Sequence, residues 1–131
     1  MNGSCVPMIG FNRNGSLTIQ SLSIHGIYAA TLNSTTLPLN VWTHVCMTYS
    51  FTHGIQLFVN GSLVAYNTTF TDYSASGGWC TITVGTCLQP NTCAANQTKI
   101  VASQFQGKID ELKIFSRELT TSDVAQLILS S

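Results

Sequence analysis

The chain has 131 residues, 44% of them apolar, with 5 basic side chains balanced by 5 acidic ones; that is one domain of ordinary core size, too apolar to remain disordered. Charged residues make up only 8%, and Arg13, Lys99, Lys108, Lys113 and Arg117 never cluster, so the basic stripe that nucleic-acid binding requires is missing. No apolar run approaches the roughly 18 residues of a membrane span. The opening MNGSCVPMIGFNRNGS has neither a basic nor an apolar region of the kind an export signal needs.

Ser16-Leu-Thr-Ile-Gln-Ser-Leu22 and Gly26-Ile-Tyr-Ala-Ala30 read as short strands. Trp42-Thr-His-Val-Cys-Met-Thr-Tyr49 alternates Val45, Met47 and Tyr49 against Trp42, His44 and Cys46, which predicts a central strand. Residues 55–66 form two β-prone arms around Asn60-Gly61, the pair that best tolerates positive φ in a type I′ turn, and so predict a hairpin. The simple two-residue register sets Leu57 opposite Val64, Ile55 opposite Tyr66 and Phe58 opposite Leu63, with apolar weight on both faces.

Thr81-Ile-Thr-Val-Gly85 reads as another strand after the Ser74-Ala-Ser-Gly-Gly78 loop, and residues 87–103 as one long polar loop. Gly107-Lys-Ile-Asp-Glu-Leu-Lys-Ile-Phe115 alternates Asp110, Leu112 and Ile114 against Ile109, Glu111, Lys113 and Phe115, again the period of a strand. Thr120-Thr-Ser-Asp123 reads as a capping box with Asp in place of Glu, followed by Val124, Leu127 and Ile128 at helical spacing. Many short strands, no βαβ alternation and one closing helix predict an all-β antiparallel sandwich of jelly-roll type.

The low charge is replaced by 14 Ser, 17 Thr and 9 Asn. Six Asn-x-Ser/Thr triplets occur, at Asn2, Asn14, Asn33, Asn60, Asn67 and Asn96, where chance placement gives about two. Five cysteines, Cys5, Cys46, Cys80, Cys87 and Cys93, leave one over. Without a Cys-x-x-Cys pair or a histidine at ligand spacing they favour disulfides over zinc. Cys87 and Cys93 bracket a short loop that they could close, and Cys46 reads as a small buried thiol. These features together point to a secreted glycoprotein.

Leu39-Asn-Val-Trp42-Thr-His44, then Gly54-Ile-Gln-Leu-Phe58-Val-Asn60-Gly61-Ser-Leu, then Phe105-Gln-Gly107-Lys-Ile109-Asp110-Glu-Leu112-Lys-Ile-Phe115-Ser-Arg117-Glu-Leu119-Thr and Asp123-Val-Ala-Gln-Leu127 resemble, in order and spacing, the laminin G-like (LamG-like) jelly-roll domains of the concanavalin A-like lectin/glucanase superfamily. The best-matched part is residues 37–129, within a single domain spanning 1–131. The resemblance implies two antiparallel sheets, with Trp42 in the core at the start of a central strand, in a non-catalytic extracellular module that binds glycans or protein partners through rim loops. A structural spacer in a multidomain adhesion protein is the alternative. Family members usually run longer and open with an apolar strand pair, so further strands or domains N-terminal to Met1 in a larger secreted protein are expected.

Superfamily glucanases use two carboxylates on one strand face. Asp110 and Glu111 are adjacent, so within a strand they would face opposite ways, and no i, i+2 acid pair exists. No catalytic residue is expected. His25, His44 and His53 sit in no nucleophile-elbow context. Some LamG-like modules hold calcium, which needs about six oxygen ligands; Asp72 and Asp110 are the candidate anchors, with a structural carboxylate the favoured reading of Asp110 and no cofactor expected. Trp79, after two glycines, could present its indole for stacking on a sugar, with Tyr73 nearby; the favoured reading starts the next strand with Trp79 and packs it inward.

Overall fold

The computed structural model describes residues 6–33, 36–70, 72–73, 77–86, 98–101 and 103–130. The candidate sites at Asn2, Asn96, Cys87 and Cys93 lie outside the described residues, as does Cys5.

Strands β1 (Ile9–Phe11), β2 (Leu17–Ser23) and β3 (Gly26–Thr31) form one antiparallel sheet in that order; β4 (Val45–Ser50), β5 (Gly54–Val59) and β6 (Ser62–Asn67) form a second. Turn chemistry sets both meanders. The Asn12 carboxamide accepts the Asn14 and Ser16 N–H groups at 2.9 Å each, while Gly15 takes φ 78°, the conformation glycine adopts at least cost. At the expected hairpin, Asn60 (φ 49°) and Gly61 (φ 84°) both turn left-handed, and the Asn60 carboxamide accepts the His44 N–H at 3.0 Å.

The two sheets pack face to face through β2, β3, β5 and β6, giving the expected sandwich. Leu17, Ile19, Ala30, Leu32, Ile55, Leu57 and Phe70 form the buried core between them, flanked by Val45, Met47 and Tyr49 of β4. Removing each such large side chain from water contributes roughly 1.5–3 kcal/mol. The sheets are also clipped at one edge, where Asn67 Nδ2 donates to the Ala29 carbonyl at 3.0 Å.

Both central strands are covered on their outer faces too. Over β5, helix α1 (Thr121–Leu129) brings Val124 and Leu127 against Phe58, with Leu119 and Cys46 beside them. The half-buried Cys46 thiol is free, and burial pushes its pKa up. Over β2, residues 98–101 cover the Gly10 and Gln20 side: Gln20 Nε2 donates to Thr98 Oγ1 at 2.6 Å and its Oε1 accepts the Lys99 N–H at 3.0 Å. Gln20 is thus fully buried and satisfied at both ends.

Four expectations need correction. The hairpin forms, but a bulge shifts its register: Phe58 still faces Leu63, whereas Leu57 pairs with Ala65 and Ile55 with Asn67, because Val64 is an extra residue on the outer arm. Trp42 is not core. The ladder begins only at Val45, three residues later, and the indole is 67% exposed.

Residues 81–85 are not in a strand; Gly85 turns left-handed at φ 83° and its carbonyl accepts the Phe105 N–H at 2.7 Å. Residues 107–115 form no strand either. Glu111 takes φ 53°, and its N–H bonds to Asp110 Oδ1 at 2.8 Å instead of to a neighbouring strand. Ile109, Leu112, Ile114 and Phe115 are left exposed.

Candidate binding surface

The structure separates the predicted site residues into different roles. Asp72 is half-buried, and its Oδ1 accepts the Ser23 hydroxyl at 2.7 Å, which ties the carboxylate to the end of β2. Tyr73 projects outward, its ring 6.3 Å from that of Tyr49, so an exposed aromatic is rooted on the core through β4. Trp79 is fully exposed at 105% of its reference area, against the inward-packing reading. The glycine at position 77, with φ 70° and open space around it, leads the chain to this outward indole.

Asp110 is exposed and its Oδ1 is engaged by its neighbour's N–H, while Glu111 pairs with Lys113 at 3.2 Å. Among the described residues no three His, Cys, Asp or Glu side chains converge. Asp72 and Asp110 each bring one carboxylate with a protein donor on Oδ1, against the roughly six oxygens that calcium takes.

Ser50, His53 and Glu118 come together without forming a catalytic relay. Ser50 Oγ and Glu118 Oε1 both lie at His53 Nδ1, at 3.2 and 3.0 Å, whereas a triad requires the nucleophile and the acid on opposite ring nitrogens. This contact holds the β4–β5 turn to the chain entering α1.

A cleft of about 260 Å³ opens beside α1, lined by Phe115, Arg117, Leu119, Asp123, Gln126 and Leu127. The capping box builds its polar wall. Thr120 Oγ1 accepts the Asp123 N–H at 3.1 Å, and Asp123 Oδ2 accepts the Thr120 N–H at 2.9 Å and Arg117 Nη1 at 2.8 Å. The Arg117 hydrogen bond, then the two from Thr120, hold the Asp123 carboxyl well below the usual carboxylate range. Sequence reasoning found the cap but not the cleft; its trace in the sequence is an arginine placed just ahead of a capping aspartate.

Two consequences are measurable. Thr120→Ala should cost about 1 kcal/mol, the usual price of a lost N-cap, read by urea denaturation. Because the folded pKa of Asp123 is depressed, its contribution is present above the ordinary carboxylate pKa of about 4 and lost as pH falls toward the folded value. A carboxyl-carbon NMR titration should show Asp123 still ionised at pH values where a carboxyl of ordinary pKa, about 4, is protonated.

The family model for laminin G domains of the concanavalin A-like lectin/glucanases superfamily matches residues 2–125. The chain belongs to that family. No curated protein matches this laminin G-like chain. Among solved structures it is similar to the crystal structure of an S-layer domain-containing protein from Clostridium thermocellum, with 22% identity and a TM-score of 0.52. That match covers 98% of the laminin G-like chain and 64% of the other, so the chain spans less than two thirds of the structure it resembles. At that identity the likeness speaks for the fold alone.

Proposed function

We propose that this laminin G-like domain is a non-catalytic extracellular recognition module that binds a glycan or a protein ligand. The observation that carries the reading is the fully exposed Trp79 indole, accompanied by exposed Tyr73: large aromatic side chains left in water are characteristic of surfaces that bind. Against catalysis, Glu111 pairs with Lys113 and Asp110 with a backbone N–H, so the two acids are turned to separate partners. The direct test follows Trp79 fluorescence during titration with candidate oligosaccharides. Quenching that disappears in Trp79→Phe supports the reading, and an emission spectrum indifferent to every ligand counts against it. Measurable turnover of a β-glucan, abolished by Glu111→Gln, would overturn the non-catalytic part.

The extracellular setting is supported by the triplets. Asn14, Asn33 and Asn60 are exposed. Asn67 is different: its Nδ2 donates to Ala29 and its Oδ1 accepts Thr69 N–H and Oγ1. After secretion from a eukaryotic host, glycosidase treatment with mass mapping should find glycan at exposed triplets and none at Asn67.

Ile109, Leu112 and Ile114 face water, and any form of the domain in which further strands cover them should gain stability. An N-terminally extended form should then unfold at higher temperature than residues 1–131 and self-associate less. Equal stability and strictly monomeric behaviour of both would rule this out.

A further inference from the structure

We propose that the cleft beside α1 is a subsite for one neutral hexose residue, its ring packed on Phe115 and its hydroxyls bonded to Arg117, Asp123 and Gln126. This rests on the recognition-module reading and names a place and a ligand class for it. The volume of about 260 Å³ lies just below the roughly 300–1,000 Å³ of pockets for drug-sized ligands, which suits a single sugar ring. The lining supplies the two surfaces a hexose needs. Phe115, Leu119 and Leu127 offer an apolar floor for the C–H face of the ring, and three planar polar groups rim it.

Hydrogen-bonding capacity also remains for the hydroxyls. Arg117 spends Nη1 on the Glu118 carbonyl and on Asp123, whose Oδ2 also accepts the Thr120 backbone N–H. Arg117 Nη2 and the Gln126 carboxamide have no partner among the described residues. The polar wall is already ordered by the capping box, and α1 is anchored by buried Val124, so little rotamer freedom is lost on binding. Arg117 and Asp123 neutralise each other at 2.8 Å, leaving no net charge with which to hold a sulfate or carboxylate. That selects neutral sugars over acidic ones.

The test is an NMR titration of the whole chain with the methyl glycosides of glucose, galactose, mannose and N-acetylglucosamine, with methyl sialoside and glucose 6-sulfate as charged arms. At least one neutral sugar should move the Gln126 side-chain amide and the signals of residues 115–119, with a dissociation constant on the order of 1 mM. Phe115→Ala and Gln126→Ala, both at exposed positions, should each weaken that binding about tenfold with the β-strand signals unmoved. Binding that survives in both variants but vanishes in Trp79→Ala overturns the cleft and leaves the recognition reading standing. Charged sugars bound tenfold more tightly than neutral ones overturn the selectivity, and no shift at these positions with any sugar overturns the proposal.

Discussion

Gly54→Ala should cost about 3 kcal/mol or more, a large share of the 5–15 kcal/mol by which domains are usually stable. Gly54 opens β5 at φ +67°, buried beneath β6, and a Cβ there would collide with the Asn67 carbonyl and lie 2.9 Å from Thr68 Cα. Left-handed backbone alone costs a side chain roughly 1–2 kcal/mol. The collision adds to this because the obstacle is backbone, which can yield only by opening the Ile55–Asn67 pair of the ladder. Gly77→Ala is the control: it has a similar φ of +70° but open space around it, so only the conformational part, about 1 kcal/mol, should appear. Urea denaturation of the two variants separates strain from collision, and equal losses would show the close approach to be unimportant.

Phe70→Ala should cost about 3–5 kcal/mol, the range for emptying a buried aromatic site. Phe70 is fully buried in the inter-sheet core, with the Tyr49 ring edge-on at 5.0 Å and Tyr28 at 5.8 Å. The two tyrosines come from different sheets, so neither can follow a collapsing cavity without leaving its own strand. Phe70→Leu should recover part of the loss by keeping volume in the site. Phe51→Ala, at a side chain 74% exposed, should fall within about 0.5 kcal/mol of the wild type. Thermal unfolding followed by near-ultraviolet circular dichroism reads all three, and a Phe70→Ala loss no larger than that of Phe51→Ala would refute the placement of the core.

These sites show what local patterning conveys. The Thr120–Asp123 cap was legible because it is a closed local device whose residues satisfy one another, and the Asn60-Gly61 turn because both residues tolerate the left-handed backbone it takes. The two-sided covering of β5 was legible from apolar residues on both of its faces, whereas alternation separated the two faces of β4 without saying that Val45, Met47 and Tyr49 line the core. Alternation does not report partners, however. Residues 107–115 carry a strand's pattern, but among the described residues no strand pairs with them, and Asp110 offers Glu111 a local hydrogen bond instead.

The hairpin register failed for a related reason: Val64 is tolerable on either face, so nothing in the pattern excluded a bulge. Strand β1 was missed at three residues long, with Gly10 at its centre. That glycine is explained only by Ile100, whose Cγ2 would lie 2.5 Å from a Cβ at Gly10, a contact between distant parts of the chain. Of the candidate site, the outward indole of Trp79 was not readable, because the residues after Gly77-Gly78 carry the pattern of a strand that would turn it inward. The cleft was not, because it exists only once α1 docks on the outer face of β5.

The proposed role is recognition of a ligand through exposed side chains and without a metal. A glycan array probed with the refolded domain, in calcium and again in chelator, decides it. Selective binding to a subset of glycans is expected, unchanged by chelation and reduced by Trp79→Ala. Binding abolished by chelator would contradict the metal-free reading, and a blank array joined to failure to capture any extracellular protein ligand would leave a spacer domain instead of a recognition module.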